Sequence, residues 1–310
     1  MLRSLALLLA FTFNLLAPVP RAEPAAQLGG FGQRDTIPAG SRVEYKTFQS
    51  KLLGREVRYG VYLPPSYNST TKRYPVLYFL HGLNENEMRW STRGQTDAML
   101  DRMVAQGKIG EFIVAIPFGA ISFYTNTRDG NEKWEDVIVT EFVPAIEATY
   151  RVNATRTTRG ISGISMGGYG ALKIAMKHPD LFGSVSAHSP VLISDLAGAR
   201  VPGRPGRLQT FVGLFDKIYG INQDLSYWDT NNPLILAKDT SKWNGLKVYF
   251  DCGTEDEYGF EAGTKQLDEI LTKTSYPHEA HLYPGNHGWD YAMQHTGESL
   301  LFHWKAFGGK

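Results

Sequence analysis

The chain has 310 residues, a formal net charge of +1 and a single cysteine, Cys252. That length carries one substantial hydrophobic core. The balanced charge offers no basic excess to neutralise phosphates, which argues against a nucleic-acid partner, and a lone cysteine excludes an internal disulfide and a cysteine-ligated zinc.

In chain order, Met1-Leu2-Arg3 brings a positive charge and Leu5 to Ala17 is an almost unbroken apolar run. The run, about 13 residues, is short of the roughly 20 that span a bilayer, and small residues and prolines follow it. This is the pattern of a secretory signal peptide over residues 1–26, cleaved near Ala22 or Ala26. It predicts a secreted or periplasmic protein with no stable membrane insertion after cleavage. Residues 27–42, rich in Gly, Ala and Pro, read as an arm or linker before a single domain, 43–310. Alternation over 43–48 and 56–63 predicts a strand pair with one buried face. Pro75 to Leu80 and Phe112 to Pro117 are short apolar runs of the kind that form strands buried on both faces of a parallel sheet. Between them, Thr96 to Ala105 has helical spacing. A helix follows over 133–150, with Pro144 predicting a kink or a boundary.

Residues 158–164 lead into Gly163-Ile164-Ser165-Met166-Gly167, a G-x-S-x-G pattern with Gly168 beside it. An apolar stretch before it and a helical pattern after it match a nucleophile elbow, a sharp strand-to-helix turn that exposes a serine. A Cβ at Gly163 or Gly167 is expected to clash in such a turn. Phe182 to Ala187 is the next strand. Over 189–242 the pattern loosens into an insertion or lid. A strand at 248–250, a helix at 261–272, a strand at 279–283 and a helix at 289–307 complete an alternating α/β order, which means a mainly parallel sheet covered on both faces.

A serine hydroxyl needs a base within hydrogen-bond reach and a third group to orient that base. After Ser165 the chain supplies Asp256 in the loop following one predicted strand and His287 in the loop following the next. That is the order serine, acid, base, with all three at strand carboxyl ends. Glu255 is the second choice of acid; Asp251 is assigned to the strand and Glu257 to solvent. Among the other histidines, His178, His278, His281, His295 and His303 read as structural, and His81 as loop packing. The oxyanion-hole donors are expected to be the backbone N–H groups of Met166, next to the nucleophile, and of Leu83, in the loop after the third strand. No metal-ligand spacing such as H-E-x-x-H occurs.

The motifs together resemble the putative-esterase group of α/β-hydrolases. That group includes esterase D (S-formylglutathione hydrolase), tributyrin esterases, feruloyl and acetylxylan esterases and mycolyltransferases. The resemblance is carried by Tyr74-Pro-Val-Leu-Tyr-Phe-Leu-His-Gly82 with Trp90, Ser122-Phe-Tyr-Thr-Asn126, Glu141-Phe-Val-Pro144 and the elbow. His178-Pro-Asp-Leu-Phe182, Cys252-Gly-Thr-Glu-Asp256 and Pro284-Gly-Asn-His-Gly288 complete it. It implies an α/β-hydrolase fold with a lid-like insertion and a Ser165–Asp256–His287 triad working without metal or cofactor. The implied substrate is a small-molecule or polysaccharide ester, with Trp90, Phe123, Tyr124, Trp134 and Trp289 as candidate substrate-lining aromatics. The loop after Leu83 lacks the cysteine of the formylglutathione hydrolases, and together with the secretory N-terminus this disfavours that activity. An acyltransferase with the same triad is the alternative reading, and a non-catalytic binding protein the remote one.

Overall fold

The computed structural model describes residues 42–193, 209–220 and 225–310. The expected signal peptide over 1–26, the expected arm up to residue 41, and the parts of the insertion at 194–208 and 221–224 lie outside these residues. The chain forms an eight-stranded sheet of order β1-β2-β4-β3-β5-β6-β7-β8. β1 (Arg42–Ser50) and β2 (Arg55–Leu63) are an antiparallel hairpin. β2 pairs antiparallel with β4 (Ile113–Pro117), and every other pairing is parallel. The remaining strands are β3 (Val76–Leu80), β5 (Arg159–Ile164), β6 (Ser184–His188), β7 (Lys247–Gly253) and β8 (Glu279–Tyr283).

Every residue of β3 and β4 is buried, as expected for apolar runs covered on both faces. The alternation of side chains along a strand divides β3 between two cores: Val76, Tyr78 and Leu80 join the larger one, Leu77 and Phe79 the smaller. The larger core takes residues from α2 (Trp134–Asp136, widening through π-helical Val137–Phe142 into Val143–Thr149), from α3 (Met166–Lys177) and from α5 (Phe260–Lys273). The smaller core takes residues from α1 (Thr96–Ala105) and α6 (Trp289–Ala306). Helices therefore cover both faces. The expected irregularity at Pro144 is present as the π-helical stretch just before it: proline has no N–H to donate, and its ring crowds the preceding turn.

The insertion is more deeply integrated than a loose lid. Its described parts include α4 (Gln209–Tyr219) and two short helices, Ser226–Asp229 and Pro233–Leu236. Phe215, Tyr219, Trp228 and Leu234 from these pieces lie in the larger core. The Tyr219 hydroxyl donates to that of Tyr169 on α3 at 3.0 Å, which ties α4 to the helix behind the elbow.

Candidate active site

The parallel strands bring four loops to one edge of the sheet. These follow β3, β5, β7 and β8, and they carry Leu83, Ser165, Asp256 and His287 respectively. Ser165 sits between β5 and α3 with φ 55° and ψ −117°, a conformation that side-chain-bearing residues rarely adopt. The surroundings hold it there. Its N–H donates to the His188 carbonyl at 2.9 Å, and its own carbonyl accepts from Tyr169 at 3.0 Å and Val191 at 3.3 Å. The flanking glycines are sterically required. A Cβ on Gly163 would lie 2.3 Å from the Gly167 backbone, and one on Gly167 would lie 1.9 Å from the Leu80 carbonyl oxygen.

The Ser165 Oγ lies 2.9 Å from His287 Nε2, and His287 Nδ1 donates to Asp256 Oδ2 at 2.7 Å. The Asp256 side chain is fully buried, and its other oxygen accepts the Tyr258 N–H at 2.9 Å. The His287 backbone N–H donates to Glu257 Oε2 at 2.9 Å, while Tyr258 and Phe260 pack edge-on against its ring at 5.0 and 5.4 Å. Glu255, the second candidate acid, is exposed and its carboxylate meets Thr254 instead. Asp251 is a buried residue of β7, as assigned. The Cys252 thiol is buried under this loop with its Sγ 3.5 Å from Asp256 Oδ2, and burial pushes its pKa well up, so it is no nucleophile.

The loop after β3 is pinned from both sides. His81 is buried; its Nδ1 donates to the Gly82 carbonyl at 2.8 Å and its Nε2 accepts the Gly119 N–H at 2.9 Å. Burial holds the ring neutral by lowering its pKa to about 4, which fits a packing role. Glu85 closes the loop on itself, accepting the Gly82 N–H at 3.0 Å, and ties it to α6 by accepting the Trp289 indole N–H at 2.5 Å. The N–H groups of Leu83 and Met166 have no acceptor among the described residues. Leu83, Ser165, His287 and Trp289 line one cavity of about 170 Å³, together with Glu85 and Tyr258.

Of the aromatics expected to line the site, Trp289 does so. Trp90, Phe123 and Tyr124 are instead fully buried. Trp90 packs against Tyr62 in the smaller core, Phe123 against Tyr169 and Phe215, and the Tyr124 ring fills the space beside Gly119 and Gly170. Trp134 borders a neighbouring cavity. Three contributors had no signal of their own in the sequence. Glu85 and Tyr258 act through contacts that only folding creates. His188, one of eight histidines, bonds Asp251 at 2.8 Å and Ser299 at 2.9 Å beneath the elbow. Among the described residues no group of His, Cys, Asp and Glu is arranged to hold a metal ion.

Residues 50–296 match the family described as "Putative esterase". The chain belongs to this family. Among relatives of this family member, an endo-1,4-beta-xylanase/feruloyl esterase of Xylanibacter ruminicola is 33% identical over 167 residues, 52% of this chain and 23% of that protein. An esterase of Mycobacterium tuberculosis is 30% identical over 282 residues, 83% of this chain and 59% of that protein. The esterase-family chain thus spans less than two thirds of either relative. Among solved structures, a ferulic acid esterase superposes with a TM-score of 0.72 at 26% identity, covering 87% of this chain and 99% of that one. The α/β-hydrolase architecture expected from the sequence is the fold of this chain.

Proposed function

We propose that this family member is a serine carboxylesterase that works through an acyl-enzyme. The observation that carries the reading is the unbroken chain from Ser165 Oγ through His287 to the buried Asp256 carboxylate, with contacts of 2.9 and 2.7 Å. In this reading His287 Nε2 takes the Ser165 proton as Oγ attacks the ester carbonyl. Asp256 holds the Nδ1–H tautomer and stabilises the imidazolium that forms. The Leu83 and Met166 N–H groups, which have no acceptor among the described residues, receive the negative charge that develops on the carbonyl oxygen. His287 then protonates the departing alkoxide. Water, deprotonated by the same imidazole, attacks the acyl carbon; collapse of that intermediate expels Ser165 Oγ, which regains its proton, and the acid leaves.

For the substrate, we propose an acyl, acetyl or feruloyl ester of a carbohydrate, or a short-chain ester. Two of the relatives are described as feruloyl or ferulic acid esterases. The cavity over Ser165, about 170 Å³, suits a compact acyl group. The domain layout (signal peptide 1–26, arm 27–42, catalytic domain 43–310) and release from the cytoplasm belong to the same proposal. The test is hydrolysis of p-nitrophenyl acetate and butyrate by wild type and Ser165→Ala. Wild type should turn both over and the variant neither; equal rates in the two proteins would refute the reading.

A further inference from the structure

The two N–H groups proposed to receive the developing charge come from different elements. Met166 opens α3, whereas Leu83 is in the loop after β3, so their separation depends on how that loop is held against the helix. Direct contact sets only one limit. A Cβ on Gly167 would lie 1.9 Å from the Leu80 carbonyl oxygen and 2.7 Å from that of His81, so helix and loop already touch. Such contact resists closer approach far more strongly than it resists separation.

Tyr124 supplies the pull. Its hydroxyl donates to the His81 carbonyl at 3.2 Å, two residues before Leu83. Its ring is fully buried and wedged: a Cβ on Gly119 would lie 2.1 Å from it, and one on Gly170 of α3 would lie 2.7 Å away. The backbone under the ring is strained. Phe123 and Tyr124 have φ of 52° and 50°, values that cost energy for residues with side chains and persist only where surroundings enforce them. Three hydrogen bonds enforce them here. The Tyr124 N–H donates to Ser122 Oγ at 2.9 Å, and Lys173 Nζ donates to the Tyr124 carbonyl at 2.6 Å and to Thr125 Oγ1 at 2.9 Å. Lys173 is wholly buried, an expensive place for a charge. Glu135 at 2.8 Å balances it and takes the third ammonium donor. Lys173 stands about two turns beyond Met166 on the same helix. One helix therefore carries one N–H group directly and holds the other through Lys173, Tyr124 and the His81 carbonyl.

Resting on the esterase reading, we propose that Tyr124 is a positioning residue for the oxyanion site: it straps the Leu83 loop to α3, and Lys173 anchors the strap. Neither side chain lines the cavity over Ser165, and both are buried, so the strap acts on the loop and not on the substrate.

Tyr124→Phe removes the hydroxyl and keeps the ring that fills the space between Gly119 and Gly170. It should lower kcat for p-nitrophenyl butyrate about tenfold, short of the roughly 10²–10³ lost with a whole oxyanion donor, and leave KM within about twofold. The probe that separates this from a merely structural loss is 1,1,1-trifluorohexan-2-one. Ser165 Oγ adds to its carbonyl carbon, the carbonyl π pair moves onto oxygen and the serine proton passes to His287. Its inhibition constant therefore reads the oxyanion site, and it should rise by the factor by which kcat/KM falls. The acid limb of the kcat/KM–pH profile, which follows the base, should not move. Tyr276→Phe is the matched control: it removes a hydroxyl that donates to the Leu246 carbonyl at 2.8 Å, just before β7 and at the end of that strand away from the site. Rate and inhibition constant should there stay within about twofold. Lys173→Met/Glu135→Met removes both buried charges together, so neither is left unpaired, and should reproduce the Tyr124→Phe effect per folded molecule. A wild-type inhibition constant in Tyr124→Phe, or a rate loss carried by KM, would overturn the strap. A wild-type constant in the double variant would overturn the Lys173 anchor. Wild type inactive on p-nitrophenyl butyrate would instead refute the esterase reading, and the strap's role with it.

Discussion

Asp256→Asn is the sharpest probe of the acid assignment. The Asp256 carboxylate accepts on both oxygens, from His287 Nδ1 at 2.7 Å and from the Tyr258 N–H at 2.9 Å. An asparagine of the same shape has one acceptor oxygen and one NH2 group. If its oxygen faces Nδ1, the NH2 confronts the Tyr258 N–H. If its oxygen serves Tyr258, the NH2 donates to Nδ1. The ring must then carry its proton on Nε2, where it cannot take one from Ser165. The imidazolium also loses its counter-charge in either orientation. Loss of the orienting carboxylate in such triads costs about 10⁴ in kcat, so a fall of roughly 10³–10⁴, or about 4–5.5 kcal/mol at 1.36 kcal/mol per decade, is expected. The assay is the initial rate on p-nitrophenyl acetate at pH 7.5, normalised to folded protein by circular dichroism. Glu255→Gln is the control: its carboxylate is exposed and bonds Thr254, so activity should stay within about twofold. Retention of more than a tenth of kcat in Asp256→Asn, or an equal loss in Glu255→Gln, would refute the assignment.

Asp251→Asn should behave oppositely. Asp251 is wholly buried and accepts from His188 at 2.8 Å, Tyr249 at 3.0 Å and Tyr291 at 3.0 Å. Urea unfolding should show a loss of about 3 kcal/mol or more, with kcat per folded molecule falling less than about tenfold; a kcat loss without a stability loss would contradict this. Gly167→Ala forces a Cβ to within 1.9 Å of the Leu80 carbonyl, so the variant should lose essentially all esterase activity or fail to accumulate as folded protein, and an active Gly167→Ala enzyme would disprove the close approach. Acid sensitivity should begin above the carboxylate range. His81 and His303 are buried, and burial lowers their pKa to about 4 and about 3. In the unfolded chain they protonate near pH 6.5, so stability is full above about 6.5 and falls with pH until the folded pKa values are reached. Each histidine contributes a slope of about 1.4 kcal/mol per pH unit. Urea midpoints measured from pH 7 to 4 should show that decline, and His81→Asn should remove about one proton's share; an unchanged slope would show that His81 is not neutral in the fold.

The framework of the site was legible because it depends on local rules. The continuous apolar runs of β3 and β4 mark strands buried on both faces, and the glycines around Ser165 are residues that a turn this tight requires. What could not be read depends on register or on dihedral angles. Phe123 and Tyr124 follow a polar loop residue and read as site-lining aromatics, yet their positive φ of 52° and 50° turns both rings into the core. His188 and Asp251 are 63 residues apart, and they meet only because β6 and β7 pair with those two positions directly opposite. Glu85 and Trp289 are 204 apart and meet only when α6 packs beside the loop after β3.

The acid and base loops show the same division within a single contact. Both motifs, Cys252-Gly-Thr-Glu-Asp256 and Pro284-Gly-Asn-His287, contain a glycine whose purpose the sequence leaves open. In the fold the second glycine is the reason for the first, while Gly285 itself is required by its φ of 145° and by the Tyr291 ring, 2.8 Å from where its Cβ would lie. A Cβ on Gly253 would lie 2.3 Å from the Gly285 carbonyl oxygen. That same oxygen accepts the Glu255 N–H at 2.9 Å, while Thr254 donates to Tyr283 at 2.8 Å. Backbone contact this close extends the β7–β8 pairing past the strand ends and brings Asp256 and His287 within a hydrogen bond of each other. The spacing of Asp256 and His287 is therefore set by a backbone junction, and a side chain at Gly253 should separate the two without touching either. Gly253→Ala is thus expected to lower kcat by at least about tenfold while leaving the Ser165 elbow reactive toward a small fluorophosphonate at a reduced rate. Wild-type turnover in that variant would show that the loops can part and still hold the two residues together.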